Sequence, residues 1–183
     1  IPLAVRRAQD MFVLMFLLRG LPFVDLAYLR KSDLRDNVIT YRRRKTGRPL
    51  SVTLTPEALE LLKKYMNRDS HSPYLFSLLK SGEGTKEAYR EYQLALRSFN
   101  QQLTLLGEVL GLNDRLSSYT ARHTWATTAY YCEIHPGIIS EAMGHSSIKV
   151  TETYLKPFRN KKIDEANNQI IDFVKHSIAG VVS

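Results

Sequence analysis

The chain has 183 residues, with 26 lysines and arginines against 18 aspartates and glutamates, giving a formal net charge of +8. With 44% hydrophobic residues, nine glycines and seven prolines, it is long enough for one domain with a proper core, which excludes disordered and collagen-like classes. Its single cysteine, Cys132, excludes a disulfide-stapled module and favours a reducing compartment.

Residues 3–19 read as a central helix: Leu3, Val5 and Ala8 lead into MFVLMFLL at 11–18, a run too continuously apolar for a surface helix. Eight apolar residues are too few to cross a bilayer, so no membrane partner is expected. Gly20 is placed to end this helix, and Pro22 opens a short second one with Phe23, Leu26, Ala27 and Leu29 on its apolar face. Asp33 and Asp36 read as a capped turn before a strand. From Val38, the strings VITYRRR, KTGR and PLSVTL predict a β-hairpin with Lys45 at or near its turn.

Thr55, Pro56 and Glu57 start a third helix, with Leu59, Leu62 and Tyr65 on one face. The stretch at 67–85 is broken by proline and glycine and reads as loop. Tyr89, Tyr92, Leu96, Phe99, Leu103, Leu106 and Leu110 then recur at spacings of three and four, predicting a long amphipathic helix. A helix over SYTARHTWATTAYY and another from Pro136 to Gly144 follow. The basic connector KPFRNKK leads to a last helix with Ile163, Ala166, Ile170 and Phe173 on one face. Trp125, Tyr130, Tyr131 and Cys132 read as core. The whole predicts a mainly α-helical fold with a small antiparallel β-hairpin sheet.

Neither a P-loop nor a glycine-rich dinucleotide turn is present, and the five histidines show no ligand spacing with cysteine. Carboxylates do not cluster in pairs suited to two magnesium ions, so neither a cofactor nor a metal is expected. The basic excess instead points to a polyanion. The chemistry-bearing strings are cationic and phenolic: MGHSSIKVTETY sets His145 nine residues before Tyr154, TARHTWAT carries Arg122, and the arginine-rich hairpin carries Lys45.

Together and in this order, these strings resemble the catalytic domain of the tyrosine recombinases, or phage-type integrases, and the resemblance runs over nearly the full chain. It implies the fold of those DNA breaking-rejoining enzymes and a site-specific recombinase acting through a 3′-phosphotyrosine, without metal or ATP, for a mobile element or in DNA inversion. Tyr154 would be the nucleophile, Arg122 the phosphate clamp, His145 a donor to a non-bridging oxygen and Lys45 the general acid for the departing 5′-oxygen.

Two positions depart from the family's pattern. Pro22, in RGLPFVDL, stands where the family carries an arginine, and Arg19 is the expected substitute. Tyr119 stands where the family usually has histidine. His123 and Asp25 are candidates for supporting positions around the site, and Arg42, Arg43, Arg44, Arg48, Lys156 and Arg159 for gripping the DNA backbone.

The resemblance further implies double-stranded DNA as partner, a homotetramer on paired sites, and a core-binding domain preceding residues 1–183 in a longer protein. The setting it implies is the bacterial cytoplasm, on the nucleoid. The apolar stripe over 163–175 would dock into a neighbouring copy or pack on its own domain. The alternatives are a DNA-binding module of the same fold that has lost turnover, and a nicking-closing enzyme like the type IB topoisomerases.

Overall fold

Helix α1 (Leu3–Leu17) runs through the middle of the molecule, and its buried residues Val5, Ala8, Met11, Leu14 and Met15 recur at three- and four-residue intervals. The computed structural model describes residues 1–154 and 160–179, with side chains except at 160 and 177–179. Helices α3 (Pro56–Tyr65), α4 (Lys86–Val109) and α5 (Thr120–Tyr131) all pack against α1. The core is continuous from Leu14 and Met15 through Leu26, Leu62, Phe76 and Leu103. Within it Phe23 stacks on Phe99, ring centroids 4.7 Å apart.

Local chemistry explains the helix boundaries. The Thr55 and Thr85 hydroxyls accept the Ala58 and Ala88 amides at 3.3 and 3.1 Å, capping α3 and α4 as N-cap threonines do. Helix α1 stops at Leu17, two residues before the predicted end, because Arg19 (φ 61°) and Gly20 (φ 67°) both adopt the left-handed region. The Leu21 amide then donates back to the Met15 carbonyl at 3.0 Å, as in a closing Schellman turn. Helix α2 (Phe23–Tyr28) follows with Pro22 as its cap residue.

The sheet has three antiparallel strands rather than the predicted two: β1 (Leu34–Arg35), β2 (Val38–Arg42) and β3 (Pro49–Thr53) in that order. Asp36 and Asn37, at φ 49° and 62°, make the two-residue turn that joins β1 to β2, a conformation aspartate and asparagine tolerate. Ile39 pairs with Val52 and both are buried, so this face lies on the helical core. The β2–β3 turn spans Arg43 to Arg48. The Arg43 amide donates to the Arg48 carbonyl at 2.8 Å, and the Gly47 amide to the Arg43 carbonyl at 2.7 Å.

After α5, helices α6 (Pro136–Ala142) and α7 (Ile148–Glu152) pack on each other. Ala126, Tyr130, Ile139 and Met143 form a second small core, against which Trp125 and Tyr154 pack. Two residues read as core lie on the surface instead: Tyr131 and Cys132 are exposed, being at the end of α5 where the chain turns at Glu133 with φ 62°. Helix α8 (Asn160–Ala179) shows solvent its whole described face, including Ile163 and Ile170 at 55% and 64% exposure. Ile163 and Ala166 of its apolar stripe line a groove with Tyr130, Ile134 and Pro136, and Lys162 pairs with Glu133.

Candidate active site

Four stretches of chain converge on one small cavity of about 60 Å³. It is lined by Arg43, Lys45 and Thr46 from the β2–β3 turn, Tyr119 and Arg122 from α5 and its start, Gly144 to Ser146 after α6, and Val150 and Tyr154 from α7 and its end. The cavity thus gathers five of the residues singled out from sequence for catalysis, Lys45, Tyr119, Arg122, His145 and Tyr154, which are up to 109 positions apart between Lys45 and Tyr154.

Arg122 is buried to 2% exposure. Its guanidinium is held from two sides, donating to the Gly20 carbonyl at 2.9 Å and the Met143 carbonyl at 2.8 Å. Gly20 is obligatory there: a Cβ would lie 2.9 Å from the Arg122 Cα, on a backbone already at φ 67°. Burial, and after it the Arg43 charge, lower the Arg122 pKa from its usual value. Two carbonyls do not neutralise a guanidinium, so it retains its attraction for an anion.

His145 is buried beneath Tyr154, the two rings stacked 5.6 Å apart and 5° from parallel. Its Nδ1 lies 2.8 Å from the buried Thr151 hydroxyl. Burial first, then the charges of Arg122, Arg43 and Lys45, push its pKa down to about 4, so the ring is neutral at pH 7. In the tautomer where Thr151 donates to Nδ1, Nε2 carries the proton and can donate to a phosphate oxygen.

Tyr154 ends α7 half-buried, its hydroxyl hydrogen-bonded to that of Tyr119. Burial raises the Tyr154 phenol pKa, the Tyr119 hydrogen bond adds to this, and the Arg122 charge works against both. His123 edges onto both rings, with centroids 4.9 Å from Tyr119 and 4.6 Å from Tyr154. Lys45 is exposed at the cavity's rim, on a turn tied to the floor. The Thr46 hydroxyl donates to the Gly144 carbonyl at 3.0 Å, and Arg48 to the His145 carbonyl at 2.5 Å.

Other expected residues lie elsewhere. Arg19, at its left-handed position, lines a separate groove with Trp125, Ile134, Ile138 and Glu141, and not the cavity. Of the cations read as backbone contacts, Arg42 and Arg48 are exposed, whereas Arg44 is engaged by Glu83 at 2.6 Å and lies 3.8 Å over the Tyr28 ring. Arg43 is not on the surface at all: it is 7% exposed and paired at 2.8 Å with Asp25, itself 2% exposed. Lys156 and Arg159 lie outside the described residues.

Sequence reasoning missed two features of the site, the inward Arg43 and the Thr151 hydroxyl under His145. In strand β2 the alternation places Ile39 inward and Thr40 outward, so Arg43 shares the parity of the buried Ile39. That parity was the available signal. Nothing in the pattern around Thr151 distinguishes it from the exposed Thr153.

Comparison with known proteins shows the family and the fold. The sequence model of the phage integrase family matches residues 5–161. Tyrosine recombinase XerC of Haemophilus ducreyi is 29% identical over 134 residues, covering 70% of this chain and 42% of that protein. A tyrosine recombinase of Pseudothermotoga lettingae is 28% identical over 156 residues, covering 81% and 49%. The chain thus spans about half the length of the curated relatives it matches. Among solved structures, the Tn1549 transposon integrase in complex with transposon right end DNA superposes with a TM-score of 0.65 at 15% identity, over 91% of this chain and 59% of that one. XerA recombinase gives a TM-score of 0.59 at 19% identity, over 91% and 61%; both likenesses are of fold.

Proposed function

The chain belongs to the phage integrase family, and from that premise we propose that it carries the catalytic centre of a site-specific DNA recombinase. The observation that carries this reading is the convergence of two phenols, one neutral imidazole and several cations on a single cavity. Transesterification at a phosphodiester needs a nucleophile, donors for the non-bridging oxygens as negative charge builds at phosphorus, and an acid for the leaving oxygen.

Tyr154 supplies the attacking oxygen. Its O–P bond forms as the P–O5′ bond breaks, leaving a 3′-phosphotyrosine and a 5′-hydroxyl. Arg122 presents a planar fork of donors to two phosphate oxygens, and His145 adds a hydrogen bond from Nε2. Lys45, on a turn tethered to the His145 carbonyl through Arg48, gives its proton to the departing 5′-oxygen. The phenolic proton leaves toward Tyr119, His123 or water.

Because the phosphotyrosine retains the phosphodiester's bond energy, the reverse attack by a 5′-hydroxyl rejoins the strand without ATP. In this reading Arg122, His145 and Lys45 supply the charge stabilisation and the proton, so the step as proposed uses no metal. A binding module without turnover is not favoured, since the residues this reading takes as nucleophile, clamp and acid all line one cavity.

Double-stranded DNA would lie over the face bearing Arg42, Lys45 and Arg48, its backbone held by charge. The exposed stripe of α8 at Ile163 and Ile170 would dock on a neighbouring copy in a tetramer on paired sites. No described helix is long and apolar enough to cross a membrane, which is consistent with action on DNA in the cytoplasm. Mobilising or inverting DNA is the biological role this reading favours.

The test is covalent capture. The protein is incubated with a random-sequence pool of nicked duplexes, and detergent-resistant adducts are isolated and their DNA sequenced. The expected outcome is an adduct through Tyr154, absent in Tyr154→Phe. An adduct that survives Tyr154→Phe, or none from the unaltered protein on any DNA, would refute the reading.

A further inference from the structure

Helix α2 begins at Phe23 after Pro22, so no cation enters the site from this corner, where the family resemblance predicts an arginine. One turn further on, α2 offers a buried carboxylate, Asp25. That carboxylate accepts from the Arg43 Nη1 at 2.8 Å and from the Arg44 amide at 3.0 Å, which draws the end of β2 inward over α2.

We propose that Arg43, delivered by strand β2 and held by Asp25, is the second guanidinium on the scissile phosphate, in place of the arginine that Pro22 displaces. The proposal rests on the transesterase reading above and specifies which residue completes its phosphate clamp.

Three observations carry it. Arg43 lines the same cavity as Arg122, His145 and Tyr154, while Arg19 lines another groove. Its Nε is buried and has no hydrogen-bond partner among the described residues, the one such side-chain nitrogen or oxygen found there. A buried donor without an acceptor is costly, and a bound phosphate would supply one. Finally, the cavity brings Arg43 close enough to lower the pKa values of both Arg122 and His145. One buried carboxylate facing two buried guanidinia leaves an unneutralised positive charge, as an anion site requires.

A structural role would be served by the Arg43–Asp25 pair alone, so the test removes the pair while avoiding a lone buried carboxylate. Asp25→Asn combined with Arg43→Met is compared with the unaltered protein on the DNA recovered by covalent capture. The scissile phosphate is either native or a methylphosphonate, in which a methyl group replaces one charged oxygen. The expected result is adduct formation slowed at least about 100-fold on the phosphate, with DNA affinity held within about threefold and the methylphosphonate cleaved at near the unaltered protein's rate.

Retained cleavage of the phosphate, or equal loss on both substrates by a variant that melts as a folded protein, would overturn the assignment and leave Arg43 as a brace for the hairpin. If the double variant does not fold, Arg43→Lys decides: a loss relieved by methylphosphonate supports the clamp, and no loss or an unrelieved one refutes it. Arg19→Ala provides the competing arm, since a methylphosphonate-relieved loss there with none at Arg43 would assign the clamp to Arg19. Absence of any adduct from the unaltered protein would instead bring down the transesterase reading itself, and this role with it.

Discussion

An unperturbed histidine titrates near 6.5, and His145 is pushed down to about 4 by burial and by Arg122, Arg43 and Lys45. The unfolded chain therefore takes up a proton that the folded one refuses between those two values. Stability linked to the neutral ring is present near pH 7 and is lost as the pH falls through that window. The expected outcome is that the unaltered protein loses about 1 kcal/mol more stability than His145→Gln between pH 6.5 and 5, or about 2–4 °C in melting temperature. Equal losses in thermal melts of the two proteins would show that the ring titrates normally. In the proposed chemistry, the same depression would leave His145 neutral with a single ring proton to donate at neutral pH, and the positive charge at the phosphate would come from guanidinium and ammonium groups.

At the scale of elements, the site depends on a loop that sequence alone treats as a helix end. The Arg19–Gly20 pair reverses the chain in the left-handed region, and the Gly20 carbonyl accepts from Arg122. Gly20→Ala would bring a Cβ to 2.9 Å from the Arg122 Cα. The substitution combines backbone strain with a steric overlap that no flexible side chain can relieve. We expect it to cost about 2–4 kcal/mol, read as a lower denaturation midpoint, and to slow adduct formation even where the protein stays folded. An unchanged midpoint would mean that α1 and α5 separate freely at this contact. The element boundaries themselves were partly legible: the Thr55 cap, the Pro56 start and the α4 stripe all correspond to helices where expected. Strand β1 was not, because two residues carry no periodicity, although Asp36 and Asn37 do mark its turn.

Over the whole molecule, the net charge of +8 divides into cations that face inward and cations left for the duplex. Arg43 and Arg122 are buried, and Arg30 and Arg44 share Glu83, so fewer cations are available to DNA than the composition suggests. With about five phosphates neutralised, a plot of log affinity against log salt should have a slope near −4.5, about a 500-fold loss between 50 and 200 mM. Titrations of residues 1–183 with duplex DNA would check this, and a slope shallower than about −2 would mean that this face does not hold the backbone.

The sequence by itself determined the fold class, the order of the elements, and the identities of the phenol, imidazole, lysine and arginine that meet at the cavity, since each lies in a short string whose spacing is local. It could not determine which cations line the cavity. Arg19 was the near neighbour of the missing arginine along the chain, yet two consecutive left-handed residues carry it into another groove. Arg43, 21 positions beyond Pro22, is brought in by strand pairing and by a carboxylate on a different helix. The reason is physical: capping, periodicity and turn conformation are set by residues a few positions apart, whereas the approach of a guanidinium to a buried site depends on contacts made only when β2, α2 and α5 have packed together.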